Sequence, residues 1–98
     1  MVKVVEVTWD SIKGKIPYLN IIDIRESFLY KTKNIIGSKN IPYQYLLINP
    51  DDYLDKNNVY YIICEYGLKS EMVSNILNKN GYKTHSISGG IKDYPVNK

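Results

Sequence analysis

One cysteine, followed by a short loop and a helix, is the feature of this chain best suited to chemistry. Cys64 ends the apolar run Val59 to Cys64 (VYYIIC) and leads into Glu65-Tyr66-Gly67-Leu68-Lys69-Ser70. The run reads as a buried strand. The stretch from Ser70 to Asn80 reads as a helix, with Met72, Val73, Ile76 and Leu77 at helical spacing. A thiol between a strand end and a helix start sits where loop amides and the positive end of the helix dipole converge. Free cysteine has a pKa of about 8.5, and helix N-termini commonly lower it. A thiolate cradled by amides is a nucleophile with a built-in anion site. Gly67 supplies the backbone freedom that a sharp loop needs. A free cysteine can equally be a small buried hydrophobe, but the ordered series of strand, cysteine, glycine-bearing loop and helix favours function.

The elements that must hold this loop alternate between strand and helix. Val2 to Val7 reads as a strand, followed by a short helix carrying Trp9 and Ile12, capped by Thr8 or Asp10 and ended near Gly14. Asn20 to Ile24 (NIIDI) suits a strand buried on both faces. Glu26 to Lys31 reads as a short helix, Lys39 to Pro42 as a brief extended piece, and Tyr43 to Ile48 as one or two helical turns. Asn49-Pro50-Asp51-Asp52 is turn chemistry. Gly81 is the expected C-cap of the long helix, Lys83 to Ile87 the last strand, Gly89-Gly90 a tight turn and Ile91 to Tyr94 a final helical turn. This alternation predicts an α/β fold with a central, mainly parallel sheet of about five strands flanked by helices. Ligands bind such sheets at the carboxyl ends of strands, which is where Cys64 lies.

Composition narrows the function classes. The 98 residues fit one domain. A single cysteine leaves no intramolecular disulfide framework, and with one histidine, His85, no metal site is expected. The net charge of +3 falls short of the basic patch of a nucleic-acid binder, so no nucleic-acid partner is expected. No apolar run reaches the ~20 residues that span a bilayer, so no membrane is expected either. The N-terminus, MVKVVEVTWD, lacks a secretory apolar region, which suits a cytoplasmic protein with a free thiol.

Taken in order, these pieces resemble the rhodanese family of single-domain sulfurtransferases over nearly the whole chain. Asp23-Ile-Arg25 with Tyr30 matches the family's first signature, and Ile35, Gly37, Asn40, Ile41 and Pro42 match the second. Cys64, Gly67 and Ser70 match its Cys-x-x-Gly-x-Arg-Ser loop, Gly81-Tyr82 and Gly89-Gly90 follow in order, and Tyr94 stands in the place of a tryptophan. The resemblance implies a rhodanese-like domain over residues 1–98, with no room for a companion domain. It implies sulfur transfer through a persulfide on Cys64, with the backbone amides of Glu65, Tyr66, Gly67, Leu68, Lys69 and Ser70 cradling the anionic sulfur and no cofactor. The partners it implies are a small sulfur donor such as thiosulfate and a thiophilic acceptor, which is cyanide, a small thiol or a protein thiol. Phosphatases of this fold use a loop one residue longer, and the Cys64-to-Lys69 length matches the sulfurtransferases.

The chain also departs from the pattern. Lys69 replaces arginine, keeping a cation but losing the bidentate fork; it attracts anions or is simply solvated. Glu65 should repel an anionic donor and oppose thiolate formation. That opens an alternative, a sulfur-relay or redox-sensing module with little thiosulfate activity; a catalytically silent binding domain is a third. Ser70 is an N-cap or a substrate ligand, and Tyr66 walls the site or is exposed. Asp23 and Arg25 are expected to be structural, the carboxylate binding turn amides and the guanidinium tying segments together. Lys33, Asn34 and Ile36 replace family residues at a turn. His85 is expected on a strand surface, and Trp9 and Phe28 are expected to anchor the core.

Overall fold

The computed structural model describes residues 5–95. It has five strands: β1 (Val5–Val7), β2 (Ile21–Asp23), β3 (Lys39–Asn40), β4 (Val59–Ile63) and β5 (Lys83–Ile87), with β-branched residues in all but the two-residue β3. Residues Val2 to Val4 of the first expected strand lie outside the described residues. The helices are α1 (Trp9–Ile12), α2 (Ser27–Thr32), α3 (Tyr43–Ile48) and α4 (Leu68–Lys79), with 3-10 turns at Ile16–Tyr18, Pro50–Asp52 and Ile91–Asp93. The strand order is β1-β5-β4-β2-β3, and every pairing is parallel. β4 is therefore central, and the loop after Ile63 opens at the middle of the carboxyl edge.

Alternation along β4 divides the core. Tyr60, Ile62 and Cys64 join Ile22, Ile24, Leu46, Val73 and Leu77 on the face covered by α3 and α4. Ile63 joins Trp9, Ile12, Ile21, Ile35, Ile87 and Ile91 on the other face. Both faces are covered, which accounts for the wholly buried β2. Thr8 caps α1, with its side chain accepting from the Ser11 amide while Ser11 Oγ accepts from the Thr8 amide. α4 ends as expected, with the Gly81 amide donating to Asn78 and the Tyr82 amide to Leu77. The Tyr82 hydroxyl donates to the Asp51 carboxylate. That bond, then burial and the carboxylate's charge, pushes the phenol's pKa up from 10.0 to about 12.

One core expectation is corrected. Phe28 is 61% exposed. α2 turns Leu29 and Tyr30 inward, and Phe28, about 100° round the helix from Leu29, faces out. The buried face of α4 is Ser70, Val73, Ser74 and Leu77, whereas Met72 and Ile76 are partly exposed. Two small serines in place of large apolar residues let the helix lie close on the sheet, where the hydroxyls of Ser70 and Ser86 meet at 2.7 Å. Trp9 is buried as expected and stacks 5.0 Å from Tyr94, while its indole N–H donates to the Gly90 carbonyl.

Candidate active site

Cys64 leaves the end of β4 and is 5% exposed. Its sulfur accepts hydrogen bonds from the amides of Gly67 at 3.1 Å and Ser70 at 3.3 Å. Two N–H dipoles aimed at one sulfur favour negative charge there. The helix begins at Leu68, just before Ser70, and Gly67 is its N-cap with φ +99. A β-carbon at Gly67 would lie 3.0 Å from the Gly89 amide nitrogen, so this left-handed corner needs glycine for space as well as for φ. Ser70 is consequently not the N-cap. It is fully buried, donates its hydroxyl to the Gly67 carbonyl at 3.0 Å, and so braces the corner from inside.

A second turn fixes the start of the loop. The amide of Ile91 donates to the Cys64 carbonyl at 2.9 Å, and that of Lys92 to the Glu65 carbonyl at 3.0 Å. A trans peptide points its C=O and N–H in opposite directions. Holding these two carbonyls therefore turns the amides of Glu65 and Tyr66 away from the clamping turn. Gly90 makes the approach possible, since a β-carbon there would meet both carbonyl oxygens at 2.5 Å. The Gly89-Gly90 pair is legible in the sequence as a turn, but its contact with the Cys64 loop is not.

The thiol opens on a groove of about 720 Å³ whose walls include Ile24, Arg25, Leu29, Tyr43, Leu68 and Met72. Tyr66 is exposed at its mouth, with the Lys92 ammonium 5.4 Å from its ring. The ammonium of Lys69 sits 4.2 Å from the centre of the Tyr43 ring. Glu65, two-fifths exposed, accepts from Arg25 Nη1 at 3.2 Å. The carboxylate next to Cys64 is thus partly neutralised by a residue forty positions away. Arg25 Nε and Nη2 bind Asp23, whose Oδ1 also accepts the Arg25 amide, and Nη2 donates to the Lys33 carbonyl at 2.6 Å. Burial pulls the Arg25 pKa down, but the hydrogen bonds and charges of Asp23 and Glu65 outweigh it and raise the pKa above its ordinary value.

The structure gathers Cys64, Glu65, Tyr66, Gly67, Leu68, Lys69 and Ser70 around one corner. Two of the six expected amides, those of Gly67 and Ser70, reach the sulfur. Arg25 is both the tie between segments that its type suggested and a groove residue, which the sequence alone did not show. Asn40 was missed as well. Its side-chain amide donates to the carbonyls of Asp23 at 3.0 Å and Arg25 at 2.9 Å, holding the β2 end in place. Its only sequence signal is an asparagine beside Ile41-Pro42 in the matched stretch. His85 lies on β5, half-buried, with its ring 5.1 Å from that of Tyr61.

Residues 7–95 match the family described as the Rhodanese-like domain. A Bacillus subtilis protein named "Putative sulfur carrier protein YrkF" is 31% identical over 93 residues, covering 91% of this chain. This chain spans 50% of that protein's length. Among solved structures, a Staphylococcus saprophyticus protein superimposes with a TM-score of 0.85 at 29% identity, covering 93% of each chain. A rhodanese-like domain protein of Staphylococcus aureus gives 0.84 at 26% identity, covering 93% of this chain and 91% of its own. The reduced CoADR-RHD protein of Bacillus anthracis gives 0.82 at 30% identity, with 93% of this chain matched to 16% of that one.

Proposed function

This chain belongs to the rhodanese-like family, and from that membership we propose that it is a sulfurtransferase carrying sulfane sulfur as a persulfide on Cys64. The observation that carries the reading is the pair of amides, Gly67 and Ser70, donating to the sulfur of the one cysteine in the sequence. The family-level activity is sulfur transfer. The finer step is attack of the Cys64 thiolate on the outer sulfur of a donor such as thiosulfate. The donor's S–S bond breaks and sulfite leaves with the bonding pair, so that Cys64 holds a persulfide anion. An acceptor nucleophile then takes the terminal sulfur, and the thiolate is restored without net oxidation. These 98 residues hold no second thiol, so the acceptor lies outside them: cyanide, a small thiol or a protein thiol. No step calls for a cofactor or a nucleic acid. Among the described residues no helix is long and apolar enough to cross a membrane, and no group of three or more His, Cys, Asp or Glu side chains could hold a metal ion.

Intact mass measured after incubation with sulfane-sulfur donors tests this reading. The expected result is one added sulfur on the native chain and none on Cys64→Ser. An adduct on the serine variant, or no adduct with any donor, overturns it. Glu65 favours a second reading, in which a protein persulfide supplies the sulfur and thiosulfate is a poor donor. Rates with the two donors separate them.

A further inference from the structure

Three features of the groove bear on which donors it admits. Its walls beside the thiol are apolar, with Ile24, Leu29, Tyr43, Leu68 and Met72 grouped around Cys64. Leu68 is 78% exposed and Met72 45%, so both present apolar surface on the open side of the groove. The charges on the walls cancel, with Arg25 and Lys69 facing Glu26 and Glu65. Every nitrogen of the Arg25 guanidinium is engaged, by Asp23, Glu65 or the Lys33 carbonyl, and the Lys69 ammonium lies on the Tyr43 ring. A compact dianion therefore finds no uncommitted guanidinium, and it must approach a thiolate flanked by a carboxylate.

We infer that the Cys64 groove selects organic sulfane donors, monoanions with an apolar body such as an organic thiosulfonate or persulfide, over inorganic thiosulfate. The apolar body lies along Leu68, Met72 and Tyr43 while the outer sulfur meets Cys64. With a thiosulfonate, the Cys64 thiolate bonds to the outer sulfur, the donor's S–S bond breaks, and a sulfinate leaves with the electron pair. The charge on each side of the step is the same, and no oxidant or reductant is consumed. This inference rests on the sulfurtransferase reading and adds the donor class to it.

The test compares benzenethiosulfonate, methanethiosulfonate and thiosulfate as donors, with cyanide as acceptor and thiocyanate as the readout. The first two share charge and leaving-group type and differ only in the apolar body. The expected kcat/KM for benzenethiosulfonate exceeds that for methanethiosulfonate at least tenfold, the ratio that about 1.4 kcal/mol of differential binding supplies. Leu68→Asp and Met72→Asp, both at exposed helix positions, should collapse that ratio toward one. Glu65→Gln removes the carboxylate charge beside Cys64 and Arg25, and should raise thiosulfate turnover relative to methanethiosulfonate severalfold. Equal rates for the two thiosulfonates, a ratio untouched by the aspartates, or thiosulfate as the best donor overturns the donor class while leaving the persulfide intact. If no donor leaves sulfur on Cys64, it is the sulfurtransferase reading that fails.

Discussion

β2 and β4 lie side by side and end level, with Asp23 opposite Ile63, yet their ends do different work. Each delivers a side chain that can carry negative charge to the carboxyl edge of the sheet. At the β2 end, the buried Asp23 carboxylate meets a guanidinium through Nε and Nη2, and one backbone amide besides. At the β4 end, the Cys64 sulfur meets two backbone amides and a groove. A carboxylate gripped by a fixed cation is held in place and electrically satisfied. A sulfur held only by neutral amides keeps its lone pairs available on the open side. Neighbouring strand ends therefore yield a strut in one case and a sulfur open to a groove in the other, decided by the donors that surround them.

The largest test of this contrast removes the strut. Asp23→Ala leaves the guanidinium of Arg25, with a side chain 5% exposed, without its main partner. The expected loss is about 3–5 kcal/mol of unfolding free energy in a urea titration. Cys64→Ala at the neighbouring end should cost only about 1 kcal/mol, since it deletes one atom and leaves no charged partner unpaired. Comparable losses at the two ends would break the contrast. A middle-sized effect is expected from Gly90→Ala, where φ is +66 and the new β-carbon meets the Cys64 and Glu65 carbonyl oxygens. Strain of roughly 1–3 kcal/mol should accompany a displaced loop. The alkylation rate of Cys64 should fall severalfold, whereas a purely structural glycine would leave that rate unmoved.

The smallest effect sharpens the role of the partner. Asp51 is a carboxylate bound by a phenol, Tyr82, where Asp23 is bound by a guanidinium. A phenol pKa raised from 10.0 to about 12 means that the fold favours the neutral form. That contribution is complete below 10.0 and is lost as pH climbs through about 12, while the Arg25 tie persists. Tyrosinate absorbance should show one late-titrating group that is absent in Tyr82→Phe. A curve unchanged by that substitution would remove the distinction.

Much of this architecture is written locally. The β-branched run at Val59, the isoleucines of β2 and the Gly81 stop each act within a few residues, and the strands and helices formed where those signals place them. The misreading arose where a face had to be chosen. Phe28 is as apolar as a core residue, but α2 lies at a rim and turns it out. Hydrophobicity reports what a side chain could bury, and only the neighbouring element decides what it does bury. Ser70 has the chemistry of a cap, but Gly67 takes that position through its backbone alone.

The sequence by itself determined the lone cysteine, the strand that carries it, the glycine at the corner and the parallel α/β class, because each depends on residue type and near-neighbour spacing. Tertiary structure alone decided how that cysteine is surrounded. The Arg25–Glu65 pair, the Ile91 and Lys92 amides on the loop carbonyls, the Ser70–Ser86 contact and the apolar groove all join residues distant in the chain. Parallel strands bring their ends together only through crossovers that local spacing does not encode. The charge beside Cys64 illustrates the point: Glu65 reads as a lone carboxylate along the chain, and becomes half of an ion pair once β2 and β4 lie side by side.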